Sequence, residues 1–261
     1  MKIIVCIKQV PDTTEVRLDP KTGTLIREGV PSIINPDDKS GLEAALRLKE
    51  EVGAEVTVLT MGPPQAELAL REALAMGADK GILLTDRAFA GADTWATSQT
   101  LAAAIRKLEY DLIIAGRQAI DGDTAQVGPQ IAEHLGLPQV SYVEDLKLDG
   151  EYLLVKRIFE DGYQWIKIKK PCLITTLKEM NEPRYMSVGG IFDAYREKEI
   201  IKWTLEDIDV DRSNIGLKGS PTKVKKSFTK GVKGKGVIHK DLTPKEAAKV
   251  IADKLREKFI I

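Results

Sequence analysis

Leu112-Ile113-Ile114-Ala115-Gly116-Arg117-Gln118-Ala119-Ile120-Asp121-Gly122-Asp123-Thr124-Ala125-Gln126-Val127-Gly128 runs from an apolar segment into a glycine-rich one, and residues 131–137 follow as an amphipathic run. This order predicts a buried strand ending at Gly116, a turn, and a helix starting near Asp123 or Thr124. Glycines let a backbone approach a ligand closely. A helix start leaves unpaired N–H groups and a partial positive charge, so the stretch suits an anion, a phosphate or pyrophosphate above all. The spacing is neither the dinucleotide fingerprint nor a Walker loop, so the motif alone reaches no further than a nucleotide.

Working outward, residues 3–8, 55–61, 81–85 and 111–115 are short β-branched runs, and residues 37–52, 65–76, 94–108 and 124–135 carry helical patterns between them. Asn35-Pro36-Asp37, Gly62-Pro63-Pro64 and Ala92-Asp93-Thr94 mark helix starts; Gly53, Gly77 and Gly136 mark stops. Strands alternating with helices predict a parallel sheet covered on both faces. One insertion, residues 16–26, reads as a β-hairpin turning at Pro20-Lys21-Thr22-Gly23. After Pro138, residues 140–148, 152–159, 163–168 and 172–177 are strand-like with closely spaced turns, which predicts an antiparallel extension. From Asn181 an irregular stretch is expected. Residues 216–236 are rich in Lys, Gly, Ser and Thr and cannot build a core. The chain ends in a helix from Thr243, with a capping box to Glu246 and one apolar face of Ala247, Ala248, Ile251, Leu255 and Phe259. That face docks either on a partner or on the chain's own core. The fold expected is α/β: a mostly parallel, Rossmann-like sheet with helices on both faces, an antiparallel extension, and a C-terminal arm ending in a helix. The division expected is residues 1–190 for the α/β domain with its extension and 191–261 for the arm.

Composition narrows the function classes. Lys plus Arg and Asp plus Glu are 39 each among 261 residues, so bulk charge offers nothing to nucleic acid or an anionic membrane. No apolar run approaches the about 20 residues of a spanning helix. Met1-Lys2-Ile3-Ile4-Val5-Cys6-Ile7 reads as a first strand rather than a signal peptide. The two cysteines, Cys6 and Cys172, each lie in an apolar run and read as buried free thiols, which fits a reducing cytoplasm. Two histidines, His134 and His239, are far apart, which argues against a Cys/His metal cluster and a nucleophile–His–acid arrangement. With no catalytic residue to name, cofactor chemistry is expected.

In an open α/β sheet, ligands bind beyond the carboxyl ends of the strands. Cys6-Ile7-Lys8, Asn35-Pro36-Asp37-Asp38, Thr60-Met61-Gly62 and the Gly116–Val127 loop should converge there. A further helix start, Asp93-Thr94 with Thr97 and Ser98 on its first turn, makes a second anion site or simply a cap. One anion site suits a mononucleotide; two suit a pyrophosphate.

Several of these stretches together resemble the β subunit of electron-transfer flavoproteins over essentially the whole length. They are Val5-Cys6-Ile7-Lys8-Gln9-Val10-Pro11-Asp12, Ile34-Asn35-Pro36, Ala73-Leu74-Ala75-Met76-Gly77-Ala78-Asp79 and Gly116-Arg117-Gln118-Ala119-Ile120-Asp121. Val155-Lys156-Arg157 leading to Lys170-Pro171-Cys172, and Asn181-Glu182-Pro183-Arg184-Tyr185, complete the set. The resemblance implies a heterodimer with FAD on the α subunit and either AMP or a second FAD on this one. It implies that the adenine nucleotide touches Cys6, Asn35, Pro36, Asp37, Asp38, Met61, Gly116, Arg117, Gln118, Ala119, Ile120, Asp121, Gly122, Asp123, Thr124, Ala125, Gln126 and Val127. It implies a partner-recognition loop over residues 181–191, with Glu182, Pro183, Arg184, Tyr185 and, near its tip, Val188, where the family often has leucine. Gly91-Ala92-Asp93-Thr94-x-Ala96-Thr97-Ser98 and Asp121–Gly128 resemble the electron-bifurcating branch. That favours FAD, held also by Asp93, Thr94 and Thr97. NADH is then the donor, ferredoxin or flavodoxin one acceptor, and an acyl-CoA dehydrogenase the other through the α-subunit FAD. The arm is expected to dock on the α subunit. The alternatives are an AMP-binding, non-bifurcating β subunit and, in another class, a stand-alone nucleotide-binding sensor module.

Overall fold

The computed structural model describes residues 1–12, 31–225, 234 and 236–261. The hairpin expected at residues 16–26 lies outside the described residues. The chain divides into two units, one ending at Lys225 and one holding the C-terminal helix.

The first unit starts with β1 (Lys2–Cys6) and a short antiparallel pair, β2 (Gln9–Pro11) and β3 (Ser32–Ile34). Helix α1 (Pro36–Val52) has Pro36 in its first turn and stops at left-handed Gly53. Then come β4 (Glu55–Met61), α2 (Glu67–Met76), β5 (Lys80–Leu84), α3 (Thr94–Ile105), β6 (Leu112–Gly116) and α4 (Val127–Leu135). The alternation read from the sequence is therefore real, and Gly77 and Gly136 end α2 and α4 as expected. Strand alternation sorts the core into two layers. Ile3 and Val5 pack with Leu42 and Leu46 of α1 and Leu70 and Leu74 of α2; Ile4 and Cys6 pack with Leu101 and Ile105 of α3 and Ile131 of α4.

The remaining strands are β7 (Gln139–Asp149), β8 (Tyr152–Ile158), β9 (Tyr163–Lys169), β10 (Cys172–Thr176) and β11 (Ile200–Trp203). The sheet runs β11-β5-β4-β1-β6-β10-β7-β8-β9. Strand β1 pairs in parallel with both β4 and β6. The chain thus winds outward through β4 and β5, then crosses back to lay β6 on the other side. That reversal is a topological switch point, and it opens a crevice at the strand carboxyl ends.

Three expectations need correction. The run at residues 172–177 does not continue the antiparallel set. Strand β10 inserts between β6 and β7, parallel to both. Every residue of it is buried, as a strand covered on both faces requires. Strand β7 serves two neighbours by bending: its first residues pair with β10 and its later ones with β8, with Tyr142 in a left-handed conformation at the break (φ 61°). Nor is the chain irregular after Asn181. Residues 188–196 form α5 (Val188–Arg196), and β11 adds to β5 at the sheet edge. Residues 191–225, assigned to the arm from sequence, belong to the first unit. A short α6 (Gly216–Gly219) follows.

The second unit holds α7 (Pro244–Glu257). The capping box is formed: the Glu246 carboxylate accepts from Thr243 N–H at 2.9 Å and Oγ–H at 2.6 Å, and the Thr243 hydroxyl accepts from the Glu246 N–H. Among the described residues no helix is long and apolar enough to cross a membrane.

Candidate functional site

At the switch point the ends of β1 and β6 are braced by one carboxylate. Asp38, 7 % exposed, accepts from the Lys8 N–H at 2.8 Å and the Gly116 N–H at 3.0 Å. Burial pushes its pKa up to about 7, against these bonds and one from Asn35. A side chain at position 116 has no room: a Cβ there would lie 2.1 Å from the Asp38 Oδ1. Asn35 clamps the next loop, donating to the Gln118 carbonyl at 2.8 Å and accepting from the Ile120 N–H at 3.0 Å. Asp37 accepts from the Lys178 N–H at 3.1 Å, and its other oxygen faces the Arg117 Nε at 3.4 Å without hydrogen-bond alignment. Burial raises its pKa and Arg117 draws it back.

Over this brace opens a cleft of about 1270 Å³. Cys6, Asp38 and Met61 line its floor, and Gly116, Arg117, Gln118, Ala119 and Gly122 line the β6 side. Thr124, Ala125, Gln126 and Val127 bring the start of α4 to it; Asp93, Thr94 and Thr97 bring the start of α3. Asn35, Pro36, Asp37, Ile120, Asp121 and Asp123 are not on its wall. Asn35 and Asp37 shape the site from behind, Asp121 pairs with Lys8 at 2.6 Å, and Asp123 accepts from Gln118 at 2.5 Å. The loop's own two carboxylates are therefore kept off the cleft wall, where they would repel an anion.

The two helix mouths differ. Helix α4 starts at Val127, later than expected, because Asp123 and Ala125 are left-handed (φ 54° and 53°) and cannot be helical. Its N-cap, Gln126, offers no side-chain bond to the first turn, so those amides remain open to a ligand. At α3, Asp93 caps the Ala96 N–H at 3.0 Å, so this mouth presents the Thr94 and Thr97 hydroxyls more than free amides. A bond from Thr94 Oγ to Gln126 Oε1, 2.9 Å, joins the two.

Sequence reasoning missed the far end of the cleft. Thr85, Asp86, Arg87 and Phe89 line it, as do Thr222 and Val224. The first four had a readable signal: β5 is parallel to β1, so its carboxyl end opens on the same rim. Thr222 and Val224 had none, being in a stretch without periodicity. Cys6 and Cys172 are buried free thiols, as read, with burial pushing their pKa values up to about 12 and about 11. His134 meets the Ser98 hydroxyl at 3.0 Å, off the cleft wall, and burial lowers its pKa.

The recognition segment divides into anchored and exposed residues. Arg184 grips Glu43 of α1 through two bonds, 2.9 and 3.0 Å, and reaches Glu50 at 2.5 Å. Burial opposes it, but these bonds hold the Glu43 carboxyl below the usual range. Arg184 is thus committed to its own chain. Glu182 is exposed and Pro183 half-buried. Tyr185 is 97 % exposed and Val188 87 %. Val188 is not a loop tip: it is the first residue of α5, capped by Ser187. With Phe192 and Tyr195 it forms an exposed i, i+4, i+7 stripe. Gly190 fits under this stripe because a Cβ there would lie 2.2 Å from the Ala75 carbonyl oxygen of α2.

Comparison with known proteins bears on this geometry. An electron transfer flavoprotein domain profile matches residues 22–208. The chain is 65% identical, over the whole of both chains, to the electron transfer flavoprotein subunit beta of Clostridium acetobutylicum. It is 59% identical, again over both full lengths, to the caffeyl-CoA reductase-Etf complex subunit CarD of Acetobacterium woodii. It is 51% identical over both full lengths to the acryloyl-CoA reductase electron transfer subunit gamma of Anaerotignum propionicum. The chain belongs to the electron-transfer flavoprotein family, as a β subunit.

Proposed function

We propose that this β subunit holds FAD in the strand-end cleft, pairs with an α subunit carrying another FAD, and divides the electrons of NADH between two acceptors. One is a low-potential carrier such as ferredoxin or flavodoxin; the other, through the α subunit, is an acyl-CoA dehydrogenase. The observation that carries this reading is the double mouth: the open start of α4 and the hydroxyl-bearing start of α3 face one cleft and are joined by the Thr94–Gln126 bond. A monophosphate needs one of them; a pyrophosphate uses both. The volume agrees, since about 1270 Å³ exceeds the roughly 300–1,000 Å³ common for small-ligand pockets.

FAD bound there supplies hydride acceptance and one-electron release. The chain's own residues bind and shield. The first amides of α4 meet phosphate charge, and Thr97 offers its hydroxyl to the second phosphate, while the Thr94 hydroxyl, donated to Gln126, ties the two mouths together. Met61, Phe89 and Leu101 give the cleft apolar wall. Two relatives bear names tied to CoA reductases, which supports a CoA-thioester dehydrogenase as partner for the exposed Tyr185, Val188, Phe192 and Tyr195. NADH and ferredoxin follow from the bifurcating likeness at residues 91–98 and 121–128.

A second reading, structural AMP, draws on one observation: the Asp93 carboxylate takes the first amides of α3 and adds negative charge near that mouth. Cofactor release from the co-purified heterodimer separates the two. Two FAD per heterodimer is the expected result. One FAD with one AMP rejects the bifurcating reading.

A further inference from the structure

Residues 216–224 form a strap along the far side of the cleft, and the chain spends many bonds holding it there. Gly216 is left-handed (φ 58°) and lies so close to the turn after β5 that a Cβ would sit 2.0 Å from the Ala88 carbonyl oxygen. The Leu217 N–H donates to the Ala90 carbonyl at 3.0 Å, and left-handed Gly91 leaves space for the Leu217 side chain. Buried Ser220 accepts from the Asp93 N–H at 2.8 Å and donates to the Gly216 carbonyl at 2.7 Å. The Asp93 carboxylate closes the clasp. One oxygen caps α3 through the Ala96 N–H at 3.0 Å; the other accepts from Thr222 N–H at 2.9 Å and Thr222 Oγ–H at 2.7 Å.

The clasp delivers Thr222 and Val224 to the cleft wall. Val224 is 85 % exposed, so an apolar side chain is held in the open beside the cleft. On the same wall lie Phe89 and Leu101, both nearly buried. The strap end of the cleft is therefore mixed, with Phe89, Leu101 and Val224 beside the polar Thr85, Asp86, Arg87 and Thr222. The cleft also runs far: the ends of β6 and β5 are three strand spacings apart, about 14 Å at about 4.8 Å each.

We propose that the strap is a specificity wall which holds the part of a dinucleotide beyond its first phosphate, and that Asp93 is the positioning residue that sets it. The inference rests on the FAD reading above. A mononucleotide seated at the open amides of α4 does not need this wall. A flavin dinucleotide, whose chain continues past the mouth of α3, does. Asp93 acts through Thr222 and carries no reacting atom.

The test compares FAD and AMP affinity in the purified heterodimer after cofactor removal, for wild type, Asp93→Asn, Thr222→Val and Thr222→Ser. Asparagine still caps α3 but presents an N–H₂ to the Thr222 donors. Asp93→Asn and Thr222→Val should each weaken FAD by about tenfold, the worth of one charge-assisted hydrogen bond, with AMP unchanged within about twofold. Thr222→Ser, which keeps the hydroxyl, should restore FAD binding. Proteolytic cleavage within residues 216–225 should quicken in the two weakened variants only, at unchanged helix content by circular dichroism. Equal losses of FAD and AMP, or no loss of either, overturn the inference. A wild-type heterodimer that keeps AMP in place of a second FAD overturns the functional reading itself, and the strap's role with it, before any variant is compared.

Discussion

Gly116 and Asp38 contend for the same volume. Because the Asp38 carboxylate fills the place where a Cβ at 116 would project, Gly116→Ala must push β6 and α1 apart. The expected cost is about 1–3 kcal/mol, the usual range for overpacking, with loss of bound nucleotide. A thermal unfolding midpoint and cofactor content, read on the same sample, check it; unchanged values for both would refute the steric account. Asp38 adds a pH signature. Its pKa rises from the ordinary 3.8 to about 7 on folding because it is buried. Between those values the native state binds more protons than the unfolded one, so its contribution to stability is full below about pH 4 and is lost as pH rises to about 7. In Asp38→Asn this slope should vanish, and the difference between the two unfolding curves isolates it from the carboxylates whose values are lowered. Residue identity alone could not separate these roles. Asn35, Asp37 and Asp38 are all types that can meet a nucleotide, yet only Asp38 reaches the cleft wall, and even its oxygens are occupied by backbone amides. Where a side chain points depends on which strand end lies beside it, and that is a tertiary fact.

Helix α5 is held on α2 from three directions: Gly190 against the Ala75 carbonyl, Arg71 on the carbonyls of Ala194 and Lys198, and Lys198 Nζ on the carbonyls of Leu74 and Ala78. This gives the exposed stripe of Val188, Phe192 and Tyr195 a rigid base, which lowers the entropy cost of docking. Gly190→Ala should lift α5 and weaken binding to the proposed dehydrogenase partner while the proposed nucleotide site keeps its cofactor; isothermal titration against that proposed partner reads it, and unchanged affinity rejects the rigid-base argument. Arg184→Ala should act otherwise. It leaves Glu43, whose side chain is 4 % exposed, without its main cation, and should cost about 3 kcal/mol of stability, at the low end for buried pairs since Arg184 is itself part-exposed. Tyr185→Ala, at a side chain in open solvent, should leave the unfolding midpoint alone and weaken partner binding. The helix at 188–196 was illegible because Val-Gly-Gly is poor helix sequence; packing on α2 overrides propensity. Strand β10 was legible as a strand and not as a parallel one, since periodicity reports burial on each face and says nothing of which neighbour supplies the hydrogen bonds. The helices and strands flanked by Pro, Gly and Asp signals, α1 to β6, were readable because caps and stops are local chemistry.

At the scale of the chain, the alternating half, the antiparallel pairs of the extension and the convergence of loops at the strand carboxyl ends were readable from pattern, and the family from ordered motifs. What pattern could not supply was pairing across long separations, as for the strap, whose Asp93–Thr222 bond joins positions 129 residues apart. The C-terminal helix poses the remaining question of scale. Its capping box, Thr243 with Glu246, is formed, and Ala247, Ala248, Ile251 and Leu255 share one face. A helix of 14 residues is marginal alone in water, so that stripe needs a surface to be worth its ordering. Burying one Ile or Leu side chain contributes about 1.5–3 kcal/mol. If the surface belongs to the α subunit, deleting residues 243–261 should raise the heterodimer dissociation constant by at least about tenfold, the equivalent of about 1.4 kcal/mol, while the isolated β subunit unfolds at the same temperature. If the surface belongs to this chain, the pattern inverts: the isolated subunit loses stability and assembly holds. Analytical ultracentrifugation of the truncated pair, run beside thermal unfolding of the truncated subunit, separates the two, and only the first pattern is compatible with an arm that docks on its partner.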